Sequence, residues 1–288
     1  MKKLSKVNLK LPIDFALKLI TKKTLYVVFI FSPIFLNAQI NTDSLKKILA
    51  NKLADSTRLK INLQLAKELV YSNVTEAKQY ANNSIQLATN LSNISAMAGA
   101  HKLLGVVYDV ENKPKESINQ YLKAVSYYNK LQDSLSVAKC EVNIGMLYLN
   151  AKVSNKAFPY FKRSEAVFRK NNFYLGIQVA IQNEGICFYN VANYDSALVY
   201  FDKALKISEQ NNLEDEGALT NIGNCYFNLK QYDKAEEYYN KFLKIKEENQ
   251  EFDERYYHCK LGLSDVLDIK YKNNIACLED VKKGYERL

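Results

Sequence analysis

Asn221-Ile-Gly-Asn-Cys-Tyr-Phe-Asn228 decides the fold, because versions of it recur along the chain. Upstream stand Leu103-Leu-Gly-Val-Val-Tyr-Asp-Val110, Asn143-Ile-Gly-Met-Leu-Tyr-Leu-Asn150 and Asn183-Glu-Gly-Ile-Cys-Phe-Tyr-Asn190. Downstream, a weaker copy reads Lys260-Leu-Gly-Leu-Ser-Asp-Val-Leu267, with Asp265 where the others carry an aromatic. The glycines fall at 105, 145, 185, 223 and 262, so five of the nine glycines occupy one position of a 38–40-residue repeat. A fixed period of this size marks a stack of similar units, each too small to bury its apolar face alone.

A second register begins twelve residues after each of the first four glycines. It holds Ser117, Ala157, Ala197 and Ala235. Four residues on come Tyr121, Phe161, Phe201 and Tyr239, and three further Ala124, Ser164, Ala204 and Phe242. Steps of four and three trace one stripe of a helix. Each unit therefore reads as helix A, carrying the glycine, then a turn, then helix B. Small residues at the glycine and alanine registers let the two helices approach, and the aromatics fill the space beside them. Asp195 and Asp233 stand where N-caps of helix B are expected, and Ser154 and Thr75 can act likewise. An earlier, degenerate unit carries Leu65-Ala66 and Leu69 on helix A and Ala77, Tyr80-Ala81 and Ser84 on helix B. Helix breakers are scarce, and two of the four prolines, Pro12 and Pro33, lie in the first 38 residues.

The pattern Leu-Gly-x-x-Tyr on helix A and Ala-x-x-x-Phe/Tyr-x-x-Ala on helix B resembles the tetratricopeptide repeat over about residues 56–288. The resemblance implies an all-α, right-handed superhelical solenoid of five to six antiparallel helix pairs. The usual period is about 34 residues. The surplus here is expected to lengthen helix B and the turn after it. Long repeats of this sort occur in regulatory members of the family and in exported bacterial sensors.

The N-terminal region is read separately. Residues 1–38 contain seven lysines against the single acid Asp14, so most of the net charge of +9 comes from this segment. Lys22-Lys23 precede the apolar run Leu25–Leu36, then Asn37-Ala38. Basic residues, a short apolar core and a small residue make a secretory signal pattern, with cleavage expected after Ala38 and export to the periplasm or medium. An uncleaved segment would instead anchor the chain to a membrane. Residues 39–55 form a lead-in, and 56–288 the solenoid. The remainder lacks the clustered basic face of a nucleic-acid binder.

By resemblance, helix A lines a concave groove that holds a peptide or protein partner. The positions one, four and five after each glycine then face it: Val106, Asp109, Val110; Met146, Leu149, Asn150; Ile186, Tyr189, Asn190; Asn224, Phe227, Asn228; Leu263, Val266, Leu267. Two asparagine ladders run across the units. Asn143, Asn183 and Asn221 stand two before the glycines, and Asn150, Asn190 and Asn228 five after. An amide offers donors and an acceptor, so such rows suit a peptide main chain. The alternatives are bonding between repeats for the first ladder and helix capping in the left-handed conformation for the second. The carboxylate-gripping Lys/Asn/Arg set of some family members is not matched: Lys102 fits, but Val106, Val179 and Asn183 do not.

No catalytic motif is present. His101 and His258 are read as structural, and the five cysteines form no CxxC pair, with Cys187 and Cys225 expected in the core. The expected protein is a non-enzymatic scaffold without cofactor or metal. The second reading is a sensory or regulatory input module. The apolar final helix, 275–288, leaves room for a homodimer or partner at the C-terminal end.

Overall fold

The computed structural model describes residues 42–213, 216–271 and 283–284. The signal-like segment 1–38, Cys277 and most of the helix expected at 275–288 lie outside the described residues. Within them the chain is helical throughout. A short α1 (42–49) precedes α2 (Asp55–Leu69) and α3 (Val74–Asn90) of the first unit. The second unit is α4 (Ile94–Val110) with α5 (Pro114–Lys130), and the third α6 (Ser134–Asn150) with α7 (Ser154–Lys170). The fourth is α8 (Tyr174–Tyr189) with α9 (Tyr194–Gln210), and the fifth α10 (Glu216–Asn228) with α11 (Tyr232–Asn249). α12 (Glu254–Tyr271) is the A helix of a sixth. The lead-in is partly structural: Leu45 and Leu49 of α1, with Leu53, pack on the core of the first unit.

The repeat registers are the core. Ser117, Ala157, Ala197, Ala235, Tyr121, Phe161, Phe201 and Tyr239 all have 2% exposure or less, as do Ala124, Ser164, Ala204 and Phe242. Leu65, Ala66, Ala77, Ala81 and Ser84 confirm the degenerate first unit, all wholly buried. Where the small residue is serine, its hydroxyl finds a backbone acceptor: Ser117 Oγ donates to Gly105 O at 2.8 Å and Ser164 Oγ to Ala138 O at 3.0 Å. Such bonds remove the cost of burying a hydroxyl.

The long period has a different origin from the one expected. Helices A and B of the second and third units are alike, 17 residues each. The surplus over 34 residues is thus shared between the two helices and not placed in helix B. Each of these helices ends in a three-residue turn whose middle residue has positive φ. Those residues are Ser92, Asn112, Gln132, Lys152, Asn172, Ala192 and Asn212, spaced by 20, then Lys230 and Gln250. At Lys152 the N–H donates to Leu149 O at 2.8 Å, and Val153 N–H donates to Tyr148 O at 2.9 Å. This pair of bonds is the Schellman arrangement, which satisfies the last helical carbonyls. It recurs at Ser92, Asn112, Gln132, Asn172, Ala192, Lys230 and Gln250. None of these residues is glycine, so each turn holds an L-residue in a costly conformation.

The third turn residue also starts the next helix. Asn73, Asn93, Asp133 and Asn193 accept from the backbone N–H three residues on. Asp195, Asp233, Ser154 and Thr75, expected as caps, lie inside the first turn. There Asp195 and Asp233 still favour the helix through its dipole. Pro114 opens α5 at the position that needs no N–H donor.

Helices A of neighbouring units touch directly: α2 with α4, α6 with α8, α8 with α10 and α10 with α12. No two B helices approach comparably among the described residues. The A helices therefore form the inner, concave wall and the B helices the outer one. No described helix is long and apolar enough to cross a membrane.

Candidate functional site

The inner helices of the third to fifth units carry little charge. From Val142 to Asn150, along all of α8, and from Gly217 to Asn228, the only Lys, Arg, Asp or Glu is Glu184; earlier in α6 stand Lys139, which is exposed, and Glu141, and α10 begins at Glu216. Glu184 has no exposed surface. The outer helices are the reverse: α7 holds six charged side chains, α9 five and α11 nine. Hydration of the solenoid is thus supplied by its convex side, and the concave side presents amides and apolar groups.

The structure places the two asparagine ladders on this wall. Asn150, Asn190 and Asn228 are exposed, and Asn143, Asn183 and Asn221 are half-buried. Asn183 Nδ2 donates to Val179 O of its own helix at 2.8 Å. Asn143 lies toward the Tyr121 side chain of the preceding unit. Asn228 Nδ2 donates to Asn224 O at 2.8 Å and to the Tyr189 hydroxyl at 3.0 Å, tying the fifth unit to the fourth. The second ladder does not cap in the left-handed conformation. Asn190 has φ −64, and the left-handed residues are Lys152, Ala192 and Lys230, two positions after each ladder member.

The aromatic positions serve two ends. Tyr189 and Phe227 are half-buried and pack edge-on against Tyr194 and Tyr232, the first residues of the following B helices. They shape the groove floor and anchor the A–B turn together. Ile186 and Met146 lie between the ladders, Met146 being 43% exposed. Three expected groove residues are core instead. Leu149 and Leu263 are 9% exposed and Val266 is wholly buried, each packed into the interior of its unit.

Two clefts of about 150 Å³ open between units. Thr220, Asn224, Tyr239, Arg255, His258 and Cys259 line the one between the fifth and sixth, with the Tyr239 hydroxyl donating to Asn224 Oδ1 at 2.7 Å. Asp109, Asn112, Pro114, Leu147, Asn150 and Ala151 line the other, between the second and third. Each includes a residue of the ladder wall.

Other titratable groups are packed for structure. Burial pushes the thiols of Cys140, Cys187, Cys225 and Cys259 up to about 12, which keeps them protonated and unreactive. His101 stacks on Tyr127 with ring centroids 5.6 Å apart, its Nδ1 lies 2.8 Å from Gln120 Oε1, and burial lowers its pKa. Sequence reasoning missed Glu184. It lies against α7, where Lys162 Nζ is 3.4 Å from Glu184 Oε2 and 2.7 Å from Glu165 Oε2. Its Oε1 is buried without a hydrogen-bond partner. Burial first, then the charge of Glu165, raises the Glu184 pKa to about 7.

An antiparallel solenoid with a glycine–aromatic register and inner A helices is the fold of tetratricopeptide-type repeats. Residues 217–249, which comprise α10 after its first residue and all of α11, match the family pattern described as Tetratricopeptide repeat. The other units reproduce its registers. No curated protein matches the sequence. Solved structures share the fold. BtubC from P. vanneervenii is 18% identical, with a TM-score of 0.62 over 75% of this chain and 90% of its own. A signal-transduction ATPase with a tetratricopeptide repeat sensor, from Pyrococcus horikoshii, is 15% identical with a TM-score of 0.69, over 84% of this chain but 38% of its own. A Rap protein complexed with Competence and Sporulation Factor is 15% identical with a TM-score of 0.61, over 87% and 75%. At these identities the likeness is one of fold.

Proposed function

We propose that this protein is a non-enzymatic scaffold that holds a peptide or an extended segment of a partner protein in its concave groove. One observation carries the reading: the A helices of the third to fifth units present two rows of amides and few charges, Lys139 being exposed among them, while the B helices carry most of the charge. An uncharged amide face suits a main chain, whose N–H and C=O groups repeat along any sequence. It suits neither the phosphate backbone of nucleic acid nor a strongly charged partner. The likeness to a Rap protein seen with a bound factor supports the same use of the solenoid.

The signal-like N-terminus motivates the further proposal that the chain works outside the cytoplasm. Its likeness to a sensor-bearing signal-transduction ATPase favours a second reading, a regulatory module that passes partner occupancy to another protein.

The test is a pull-down from the envelope fraction with the wild type beside Asn150→Ala, Asn190→Ala, Asn228→Ala. A partner kept by the wild type and lost by the folded triple variant supports the groove. A partner kept by both places the interface elsewhere. Fractionation of cells producing the chain tests export, and retention in the cytoplasm would overturn that part.

A further inference from the structure

Resting on the groove reading, we propose that the cleft between the second and third units takes one basic side chain, a lysine ammonium or an arginine guanidinium, of the segment held in the groove.

The cleft arises from a local exchange in the repeat. In the fourth unit, Tyr189 on helix A meets Tyr194, the first residue of helix B, with ring centroids 5.3 Å apart. In the fifth, Phe227 and Tyr232 meet in the same way at 5.9 Å. The second unit holds Asp109 and Pro114 at these two positions. A pair of aromatic rings is thus replaced by a short carboxylate and a pyrrolidine, and both line an opening of about 150 Å³. Asn112 of the turn lines it too, with Leu147, Asn150 and Ala151 of the third unit opposite. Asp109 and Asn150 are exposed, so a ligand reaches them from the groove.

The charges decide what fits. Asp109 is the one charged residue lining the cleft, and the later units place Leu149, Tyr189, Phe227 and Val266 at its register. No cation of the chain serves it: its pKa is raised, with burial as the cause and no neighbouring cation to lower it. Lys113, beside Pro114, and Lys78 are both paired with Glu111 Oε2, at 2.8 and 2.9 Å. Lys139 stands at the other end of α6, its Nζ 4.9 Å from the ring centroid of Phe173.

The backbone adds to the same sign. Asp109 and Asn112 stand at the C-terminal end of α4, and Asn150 and Ala151 at that of α6. A helix C-terminus carries about half a negative charge, so two of them reinforce the carboxylate. The N-terminus of α5 opposes them, but its first residue is Pro114, which has no N–H to offer an anion. The side-chain amides of Asn112 and Asn150 make no hydrogen bond among the described residues. Each can turn Oδ1 toward a donor, and ammonium and guanidinium groups donate without accepting. An anion would face Asp109, and an apolar side chain would cover the carboxylate without pairing it.

The experiment is selection of displayed random 12-residue peptides on the full chain, read by sequencing, with Asp109→Asn, Asp109→Lys and the double variant Asn190→Ala, Asn228→Ala in parallel. Circular dichroism checks that each variant is folded. Expected on the wild type are cores sharing one lysine or arginine at a fixed place. Their enrichment is expected to fall about tenfold on Asp109→Asn, and Asp109→Lys is expected to select an acidic residue at that place. Cores that need Asn190 and Asn228 but hold no fixed basic residue, or enrich equally on Asp109→Asn, overturn the proposal and leave the groove standing. Basic cores that need Asp109 but ignore the two asparagines keep the cation site and overturn the amide groove. Enrichment that needs neither, or none at all, overturns both.

Discussion

Phe161 of α7 lies against the backbone of Gly145 in α6, so closely that a Cβ on the glycine would stand 2.7 Å from Cε1 of the ring. Phe161 is wholly buried and has nowhere to retreat. Gly145→Ala gains helix propensity of about 1 kcal/mol but overpacks the core, at about 1–3 kcal/mol. The expected outcome is a lower thermal midpoint. Gly99, on α4, has nothing within 4 Å of a built Cβ. Gly99→Ala is expected to raise the midpoint, by about 0.5–1 kcal/mol of stability. Thermal melts of both variants check the contrast, and equal effects would show that the glycine register is not set by helix approach.

The left-handed turns leave stability unused. Lys152 and Gln132 are exposed and have φ of 59° and 58°. Lys152→Gly and Gln132→Gly relieve the Cβ clash, each worth about 1 kcal/mol. The Schellman bonds are made by backbone and survive the change. Melting of the single and double variants is expected to show additive gains, since the two turns are separated by a whole helix.

Helix B of the fourth unit depends on Asn193, whose side chain accepts from Ser196 N–H at 3.2 Å. Asn193→Ala is expected to cost about 1 kcal/mol. Asp233, in the first turn of α11 but not at its cap, makes an ion pair with Lys270 while 92% exposed. Asp233→Ala is expected to cost less, within about 0.5 kcal/mol. Urea titrations of the two variants distinguish cap from first turn.

Stability should carry a pH signature from Glu184. Its folded pKa is raised to about 7, chiefly by burial, above the ordinary value of 4.5. Between these values the folded chain holds a proton that the unfolded chain has released. The stability from this group is thus complete below about pH 4.5 and lost as pH rises through about 7. Glu165 opposes it: the ion pairs with Lys162 and Arg169 outweigh its burial and lower its pKa, so its contribution is lost on acidification. Glu184→Gln removes the first effect alone. The wild type is expected to lose about 2 kcal/mol more than the variant between pH 5 and pH 8. Parallel pH profiles would contradict the assignment.

How much of this was legible in the sequence varies with distance along the chain. Helix pairing, core registers and unit boundaries followed from glycine and aromatic spacing, because each contact there is local and repeats five times. The degenerate first unit was legible for the same reason, with Ala66 in the glycine register. Asp195 and Asp233 were each placed two residues too late as caps, since aspartate is favourable both at an N-cap and in the first turn. The equal helices were missed because Lys152, Ala192 and their counterparts are not glycine, so no residue type announces the left-handed turns. At the groove, register showed which asparagines share a face. It could not show that Asn228 is tied to Tyr189 of another unit, or that Leu149 and Val266 turn inward. Those depend on the angle between units, which no single repeat encodes.

The central claim, that the amide-lined concave wall is where a partner sits, is tested most directly by site-specific photo-crosslinking. A benzophenone side chain replaces Asn190 at the end of α8, or Lys206 on the exposed face of α9, in cells producing the full chain. The account predicts a discrete adduct from position 190 and none from 206, lost when Asn150 and Asn228 are also changed to alanine. Adducts from 206 with none from 190 would place the partner on the convex face and contradict it.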